Sequence, residues 1–508
     1  MVDLDGGPLG LEAVEAVARR GEPVALAPAA RRALGAGRAF VERLAAGSEP
    51  IYGITTGVGK LKDVVIPHGE RADLQRNLVL SHAAGVGSAL AEPDVRAIML
   101  LLAASLARGA SGVRPIVVET IVACLNQRVH PVVPELGSVG ASGDLAPLAH
   151  VALCLLGEGS TRAGDRQLPA AEALARAGVA PLVLETKEGL ALLNGTHLMA
   201  GHGALTVLDA ARLARLADVA GAMSLEALMG SNAAFDPRIH ALRPHPGQLA
   251  VAANLMKLTA ESAIIASHRD CTRVQDAYSL RCMPQVHGST REAVTFARSV
   301  IERELASVSD NPLVFPADGV VLSGGNFHGE VLGLALDTLT LGLVQLAGIS
   351  ERRIDRLVNP LTNELLPPFL SPYGGVHSGY MIAQYVAAAL VAELRTLAMP
   401  ASAESVPTSG LQEDYNSMAA GSALKARRAA GLARQVLAIE VLLAAQALDF
   451  RAPLAPGRGS AAARDAVRRR VPRLEADRYL KADLDAALEL CEADTVVAAV
   501  ETVIGPLE

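Results

Sequence analysis

Four long stretches of the sequence repeat their apolar residues with the 3.6-residue period of an α-helix. They cover residues 289–306, 331–357, 379–398 and 422–448. Most of these helices would exceed the average of about 11–12 residues in globular proteins, and such helices bury their apolar faces in a bundle or at a subunit interface. The pattern therefore predicts a mainly all-α fold whose core is a bundle of long helices.

The composition agrees with a helical core. Aromatic residues make up 3% of the 508 residues and Trp is absent, so the apolar mass must come from Ala, Leu and Val. Ala and Leu favour helices, whereas sheet-rich cores use more aromatic side chains. An all-β fold is therefore disfavoured. A short strand before the helical pattern at 30–44 predicts a smaller α+β portion at the N-terminus.

Three glycine-containing loops interrupt the helical pattern and give the N-terminal portion its landmarks. They are the tyrosine loop at residues 52–59, the serine loop at 137–147 and the asparagine loop at 193–196. No repeat of fixed period and no low-complexity linker is present. We predict an N-terminal portion carrying these loops, a central long-helix bundle and a C-terminal helical segment, at residues 1–200, 201–450 and 451–508.

Charge and cysteine content narrow the function classes. The chain has 46 Lys+Arg against 53 Asp+Glu, a net charge of -7, so it has no basic excess that would attract nucleic acid or an acidic membrane surface. The five cysteines form no CxxC pair, which disfavours a disulfide framework or a structural zinc site. The acidic N-terminus does not resemble a signal peptide. We expect a soluble cytoplasmic protein without nucleic-acid or membrane partners.

The common catalytic templates do not match. There is no GxxxxGK[ST] phosphate loop, and the glycines of the serine loop do not follow the GxGxxG spacing. The serine loop also fails the GxSxG pattern of serine hydrolases, because its last glycine is displaced. No HExxH occurs, and His197 and His202 are five residues apart, which points their rings to different sides of a helix. We therefore predict no metal site.

The tripeptide Ala141-Ser142-Gly143 can instead form an electrophile from its own backbone. The Gly143 nitrogen can attack the carbonyl carbon of Ala141, because glycine offers little steric hindrance and a wide φ range. Loss of water closes the ring, and dehydration of Ser142 leaves an exocyclic methylene. The product is 4-methylidene-imidazole-5-one (MIO), which requires no added metal or nucleotide.

The serine-loop sequence GASGDLAPL at 140–148 resembles the signature of the aromatic amino acid lyases, which include histidine, phenylalanine and tyrosine ammonia-lyases. The other motifs of that family follow in the same order from about residue 10 to about 450. They are the tyrosine loop, the asparagine loop, VQDAYSLR at 274–281 with PQVHG at 284–288, DNP at 310–312 and GGNFHG at 324–329.

The resemblance implies that the chain eliminates ammonia from an α-amino acid to give a trans-α,β-unsaturated acid. MIO at Ser142 would capture the amine, and Tyr52 would remove the β-proton. A phenol has a pKa near 10, so Tyr52 requires help from nearby positive charge or hydrogen bonds. Arg281 would clamp the substrate carboxylate with its planar fork.

Further roles follow from the same resemblance. Asn194 and Gln275 would contact the electrophile or the carboxylate through amide hydrogen bonds. Tyr278 would assist proton transfer at the amine, and Phe327 would pack beside the ring. Helix N-termini pointing at the ring oxygen would stabilise negative charge on it. The family also implies a homotetramer whose active sites combine residues from several subunits.

Residues 81–82 and 412–413 indicate the substrate. Family members that act on histidine tend to carry Ser-His where this chain has Ser81-His82, and phenylalanine enzymes carry Gln at the position of Glu413. An imidazole needs polar partners, which His82 and Glu413 can supply, with Gln412 beside them. We therefore predict histidine as the substrate and urocanate as the product.

Two departures keep other substrates open. Val58 stands where the family usually has Phe, and Tyr415-Asn416 stand where histidine enzymes typically have His-Val. The alternatives are a phenylalanine or tyrosine ammonia-lyase and an aromatic amino acid 2,3-aminomutase. More distant alternatives are a non-catalytic helical scaffold and a fumarase-like lyase, whose GSSxMPxKxNP loop is absent.

Overall fold

The computed structural model describes residues 1–164, 166–271 and 273–508, with the side chain of Ala163 outside the description. Within these ranges α-helices dominate and the strands are short, which confirms the predicted mainly all-α fold. The chain divides into two compact units, each made of three segments. The three-part division predicted from sequence stays a prediction.

The first unit comprises residues 1–206, 297–337 and 400–427. In the part of this unit that the structure describes, eight α-helices lie entirely within it: Leu11–Arg20, Pro28–Ala45, Arg71–His82, Glu92–Leu106, Pro115–Asn126, Leu145–Leu155, Ala170–Ala177 and Glu188–Leu193. The strands of the described ranges also belong to this unit: Val2–Leu4, Val24–Leu26, Val86–Ala89, His130–Pro131, Pro134–Leu136, Ser160–Ala163, Arg166–Pro169, Leu313–Phe315 and Val320–Leu322.

The strands of the first unit form small sheets of two or three strands. Val2–Leu4 pairs in parallel with Val24–Leu26, and the other ladders are antiparallel. A buried apolar cluster contains Ile54 of the tyrosine loop, Phe40 and Val41 of the second helix, and Val314. Ile54 is therefore the buried side chain through which the tyrosine loop packs against this cluster.

The second unit comprises residues 207–296, 338–399 and 428–508. Its own helices are Pro237–Ala241, Pro246–Leu258, Ala263–Ala266, Tyr278–Arg281, Met381–Leu397, Arg458–Arg468, Leu480–Glu492 and Thr495–Ile504. Its interior contains a buried ion pair in which Arg353 Nε lies 2.5 Å from Glu440 Oε1. Ser224 and Ser350 donate to the two oxygens of the same carboxylate, which compensates its burial.

The long helices confirm the periodicity seen in the sequence. Four of the described helices contain residues of both units: His197–Ala227, Met283–Glu304, Glu330–Val358 and Ala419–Asp449. Among the described residues, three helical spans could cross a membrane by length and composition alone: Glu330–Val358, Met381–Ala403 and Ala419–Asp449. Their apolar windows are 56%, 28% and 78% buried within the protein, so the second is the one left largely uncovered.

Candidate active site

The serine loop lies where four helices of the first unit begin. These helices start at Leu145, His197, Glu330 and Ala419. Backbone N–H groups that immediately precede two of them donate into the loop: Met418 N–H to Val139 O at 2.8 Å and Gly329 N–H to Gly140 O at 3.4 Å. A helix N-terminus carries partial positive charge, so this arrangement favours negative charge in the loop.

Gly143 packs directly against the asparagine loop. Its φ is +80°, and a Cβ at this position would lie 2.1 Å from the carbonyl oxygen of Gly195. Asp144 N–H donates to that same oxygen at 2.7 Å. Any side chain at residue 143 would therefore separate the two loops, which explains the glycine in structural terms.

Asp144 has a role that sequence reasoning missed. It is the N-cap residue of the helix that begins at Leu145, and its carbonyl oxygen accepts from Leu148 N–H at 3.0 Å. Its carboxylate accepts from the N–H groups of Leu198 and Met199, at 2.9 and 3.1 Å, and so also caps the helix that begins at His197. Ser138 donates to its other oxygen at 2.9 Å. Burial nevertheless raises the pKa of Asp144 to about 6.

A cavity of about 930 Å³ opens beside Ser142. Eight of the site residues predicted from sequence line it: Tyr52, Ser81, His82, Ser142, Asn194, Phe327, Gln412 and Glu413. Val58, the first of the two departures, lines it as well. Ala141 and Gly143, the neighbours of Ser142, are buried behind it. The fold therefore brings together side chains separated by more than 300 positions in the sequence.

Ser142 and Glu413 are hydrogen-bonded to each other inside the cavity. The Ser142 hydroxyl donates to Glu413 Oε1 at 2.9 Å, and Thr408 donates to Oε2 at 2.6 Å. Glu413 is therefore an acceptor held beside the Ser142 hydroxyl. An acceptor here suits a substrate that carries an N–H donor.

Asn194 is buried in the cavity wall with one amide atom unsatisfied. Its Nδ2 donates to the carbonyl oxygen of Asn311 at 3.1 Å. Its Oδ1 is buried and has no hydrogen-bond partner among the described residues. A buried unsatisfied acceptor is costly in a finished structure, so this atom indicates a donor still to be supplied.

Tyr52 lies in an environment that differs from our expectation. We expected its surroundings to favour the phenolate, and the Gly59 N–H does so by donating to Tyr52 Oη at 3.2 Å. Burial outweighs this hydrogen bond and raises the pKa of Tyr52, and the carboxylates of Glu413 and Asp310 raise it further. Within one chain, the phenol is therefore held in its neutral form.

His82 is held in a defined tautomer. Its Nδ1 lies 2.8 Å from the carbonyl oxygen of Leu78, which can only accept, so Nδ1 carries the proton. Nε2 of the neutral ring then has a lone pair available. The hydroxyl of Ser81 lies 3.1 Å from the same Nδ1.

Gln275, Tyr278 and Arg281 belong to the second unit, and none of them is among the described residues that line this cavity. The Arg281 guanidinium stacks over the Tyr278 ring, with 4.6 Å between its Cζ and the ring centroid. Tyr278 is 71% exposed. Gln275 lines a separate cavity of about 350 Å³ within the second unit.

Several cavity residues were not found from the sequence. Lys60 and Lys62 line the wall contributed by the tyrosine-loop region, and Lys62 Nζ donates to Gln412 Oε1 at 2.5 Å. Asn311 lines the cavity beside Asn194, and Thr408 holds Glu413. The motif DNP at 310–312 was the available signal for Asn311, whereas no local pattern marked Lys62 or Thr408.

A model of the family described as aromatic amino acid lyase matches residues 9–469. The chain belongs to the aromatic amino acid lyase family. This family membership accounts for the shared order of the tyrosine, serine and asparagine loops.

Relatives and solved structures cover nearly the whole chain. A histidine ammonia-lyase of Gloeobacter violaceus is 53% identical over 505 residues, covering 99% of this chain and 98% of that protein. One from Myxococcus xanthus is 51% identical over 499 residues, covering 98% of each. The structure of tyrosine aminomutase from Streptomyces globisporus has a TM-score of 0.94 at 39% identity, covering 99% of this chain and 98% of that chain. Histidine ammonia-lyase from Trypanosoma cruzi has a TM-score of 0.90 at 40% identity, covering 99% and 95%.

Proposed function

We propose that the protein is a histidine ammonia-lyase, which eliminates ammonia from L-histidine and releases trans-urocanate. The observation that carries the proposal is the placement of Glu413 and His82 in one cavity with Ser142. Both groups can pair with an imidazole, and a phenyl ring would leave them unpaired, which is costly in a buried site. The relatives from Gloeobacter violaceus and Myxococcus xanthus bear the same name.

The residues at 141–143 fit an MIO group formed from the chain itself. Gly143 has the positive φ and the bare Cα that close approach to Gly195 requires, and Asn194 Oδ1 is a buried acceptor without a donor. When formed, the group supplies an electrophilic methylene that makes the amino group of the substrate a better leaving group. The helix N-termini around the serine loop stabilise negative charge there.

Tyr52 is the base in this proposal. It removes one of the two protons from Cβ of histidine. Glu413 accepts a hydrogen bond from the imidazole N–H and so fixes the ring. The Gly59 N–H at 3.2 Å stabilises the phenolate that the reaction requires. Burial and the neighbouring carboxylates raise the pKa of Tyr52, so a cationic group that completes the site would favour the phenolate.

Arg281, Gln275 and Tyr278 supply that completion from another subunit. In this arrangement Arg281 pairs with the substrate carboxylate through its planar fork, and its positive charge lowers the pKa of Tyr52. The guanidinium Nε is buried and without a hydrogen-bond partner among the described residues, and the stacked Tyr278 ring is exposed. Gln275 and Tyr278 are thus exposed to a neighbouring copy, and the Arg281 guanidinium is stacked on the Tyr278 ring.

A homotetramer is part of the proposal. The helix Met381–Leu397 leaves an apolar face uncovered, with Ile382 56%, Tyr385 60% and Val386 36% exposed. An exposed apolar stripe of this kind is typical of a subunit interface. Analytical ultracentrifugation should give four times the 52.5 kDa chain mass, and Ile382→Glu with Tyr385→Glu should shift the species to lower mass.

An aminomutase is the second candidate, because the tyrosine aminomutase structure superposes with a TM-score of 0.94. An aminomutase would return the ammonia to Cβ and give a β-amino acid. An ammonia-lyase releases it.

A cytoplasmic location, without nucleic-acid or membrane partners, completes the proposal and rests on the charge and cysteine content of the sequence.

Incubation of the purified protein with L-histidine tests the proposal. We expect ultraviolet absorption of urocanate together with an equal amount of free ammonia. Ser142→Ala should abolish both, whereas Ser48→Ala, at an exposed position, should change neither. Cinnamate or coumarate from phenylalanine or tyrosine, with no urocanate from histidine, would overturn the substrate assignment. β-Histidine without ammonia would identify an aminomutase.

A further inference from the structure

Both carboxylate oxygens of Glu413 have a hydroxyl partner. Oε1 accepts from Ser142 at 2.9 Å, and Oε2 accepts from Thr408 at 2.6 Å. Formation of MIO removes the Ser142 hydroxyl as water. Oε1 is then free for the imidazole N–H of the substrate, while Thr408 still holds Oε2. The orientation of Glu413 in the mature site therefore depends on Thr408.

Asn416 determines where the proton of Thr408 points. Its Nδ2 donates to Thr408 Oγ1 at 3.1 Å and to the carbonyl oxygen of Val406 at 2.6 Å. The reversed amide would place Oδ1 against that carbonyl oxygen, which is also an acceptor, so the orientation is defined. A threonine hydroxyl has one proton, and a hydroxyl that accepts from Asn416 donates that proton to Glu413.

Asn416 is itself held in position by burial and by a hydrogen bond of its backbone. It is 1% exposed, and its backbone N–H donates to the hydroxyl of Ser405 at 2.6 Å. The next residue, Ser417, donates to the carbonyl oxygen of Gly140 in the serine loop at 2.7 Å. The support for Glu413 and the loop that carries Ser142 are thus tied together.

We propose that Asn416 and Thr408 are positioning residues for imidazole recognition, acting through Glu413. We call the hydrogen bonds that lead from Asn416 through Thr408 to Glu413 the relay. The inference deepens the proposed function and rests on it, because the substrate group that Glu413 would accept from is the imidazole N–H. Asn416 is one of the two positions where the sequence departs from the histidine enzymes. In this chain the departure supplies an amide donor that orders the Thr408 proton.

Threonine variants separate the hydroxyl from the shape of the side chain. Thr408→Val keeps the branched shape and removes the donor, and Thr408→Ser keeps the donor. Loss of one hydrogen bond to a charged group should lower kcat/KM for histidine about tenfold, mainly through KM. Thr408→Ser should stay within about twofold of the wild type. Equal activity of Thr408→Val and wild type would overturn the proposal.

A double variant tests whether Asn416 acts through Thr408. Asn416→Val alone should lower kcat/KM for histidine about threefold to fivefold. In the Thr408→Val background the same change should add no further loss, because the hydroxyl that it orders is gone. Independent, multiplicative losses would contradict the relay. If Thr408→Val does not fold, Asn416→Val is added to the Ser142→Ala background of the binding experiment below, and unchanged urocanate binding would overturn the proposal.

Binding in the Ser142→Ala background gives a readout without turnover. Calorimetric titration with urocanate should show about tenfold weaker binding when Thr408→Val is added, because urocanate offers an imidazole N–H. Cinnamate offers none, so its affinity should not change. Equal losses for both ligands would mean a merely structural role and would overturn the proposal.

The relay and the proposed function fail in different ways. A wild-type protein that releases no urocanate from histidine overturns the proposed function, and with it the ligand assigned to Glu413. A wild-type protein that is active on histidine, with Thr408→Val equally active and equally tight for urocanate, overturns the relay alone.

Discussion

The hydroxyl of Ser142 donates to Oε1 of Glu413 at 2.9 Å, although 271 positions separate the two residues. In the proposed function, Ser142 belongs to the reactive tripeptide and Glu413 is the acceptor for the substrate ring. Their contact places the chemistry and the recognition of the substrate at the same end of one cavity. The size of each contribution can be measured separately.

Glu413→Gln removes the negative charge and keeps the side-chain shape. We expect kcat/KM for histidine to fall about a hundredfold, because a charge-assisted hydrogen bond to the imidazole becomes a neutral one. Glu404→Gln, at an exposed position, should leave urocanate release unchanged. Initial rates of urocanate formation measure both, and an unaltered rate in Glu413→Gln would exclude Glu413 from substrate binding.

Tyr52→Phe removes the proposed base. We expect kcat to fall by about 10²–10⁴, the usual contribution of general base catalysis, while the protein keeps its melting temperature. Tyr479→Phe, whose side chain is 78% exposed, is the matched control and should retain full activity. Retention of more than half of the wild-type kcat by Tyr52→Phe would assign the β-proton to another residue.

Gly143→Ala forces the serine and asparagine loops apart, because the added Cβ would lie 2.1 Å from Gly195 O at a φ of +80°. We expect destabilisation by more than about 1 kcal/mol and loss of urocanate formation. Gly35→Ala lies within the helix Pro28–Ala45 with no atom within 4 Å of the added Cβ, so it should stabilise by about 0.5–1 kcal/mol. Thermal unfolding distinguishes the two, and an active, equally stable Gly143→Ala would contradict the close approach.

Lys187→Met leaves the Asp310 carboxylate without its cation. Lys187 Nζ lies 2.6 Å from Asp310 Oδ2, and both side chains are buried. Removing one partner of a buried pair should cost about 3–5 kcal/mol of unfolding free energy. Lys481→Met breaks an exposed pair with Asp485 and should cost less than about 1 kcal/mol. Denaturant titrations compare the two, and similar losses would mean that burial does not strengthen the inner pair.

His197 makes stability depend on pH. Burial lowers the pKa of His197 to about 4, and an unfolded histidine has a pKa near 6.5. Below pH 6.5 the unfolded chain therefore binds a proton at this histidine that the folded chain does not bind. With respect to this group, the free energy of unfolding is highest above pH 6.5 and decreases as the pH falls toward 4. Between pH 7 and pH 5 the loss should be about 2 kcal/mol.

His197→Gln isolates that contribution, because all other titrating groups are shared with the wild type. The unfolding free energy of the variant should fall less steeply between pH 7 and pH 5, by the same amount. Parallel curves for the two proteins would show that His197 is protonated or solvated in the folded state.

The helices were accessible from the sequence because their signal is local. The stretch predicted at 331–357 is the helix Glu330–Val358, and 422–448 lies within Ala419–Asp449. The break in the helical pattern at the asparagine loop was predictable for the same reason. In the structure one helix ends at Leu193 and the next begins at His197. Apolar period and glycine position depend on neighbours a few residues away.

The site was accessible in part. Motif order identified the cavity residues Tyr52, Ser142, Asn194 and Glu413, but it did not reveal that the Asp144 carboxylate caps the helix that begins at His197. It also led us to expect surroundings that favour ionisation of Tyr52, whose pKa is in fact raised by burial. These are effects of desolvation and of contacts between distant segments, and no local pattern records them.

The sequence by itself determined the helical class of this protein and the family to which it belongs, and it predicted the reactive tripeptide. Each of these follows from residue identity and short-range spacing. Only the tertiary structure decided that Thr408 and Asn416 stand behind Glu413, and that the proton of Thr408 points toward the carboxylate. Hydrogen-bond direction depends on which donors and acceptors meet in space, and that meeting is a property of the folded chain.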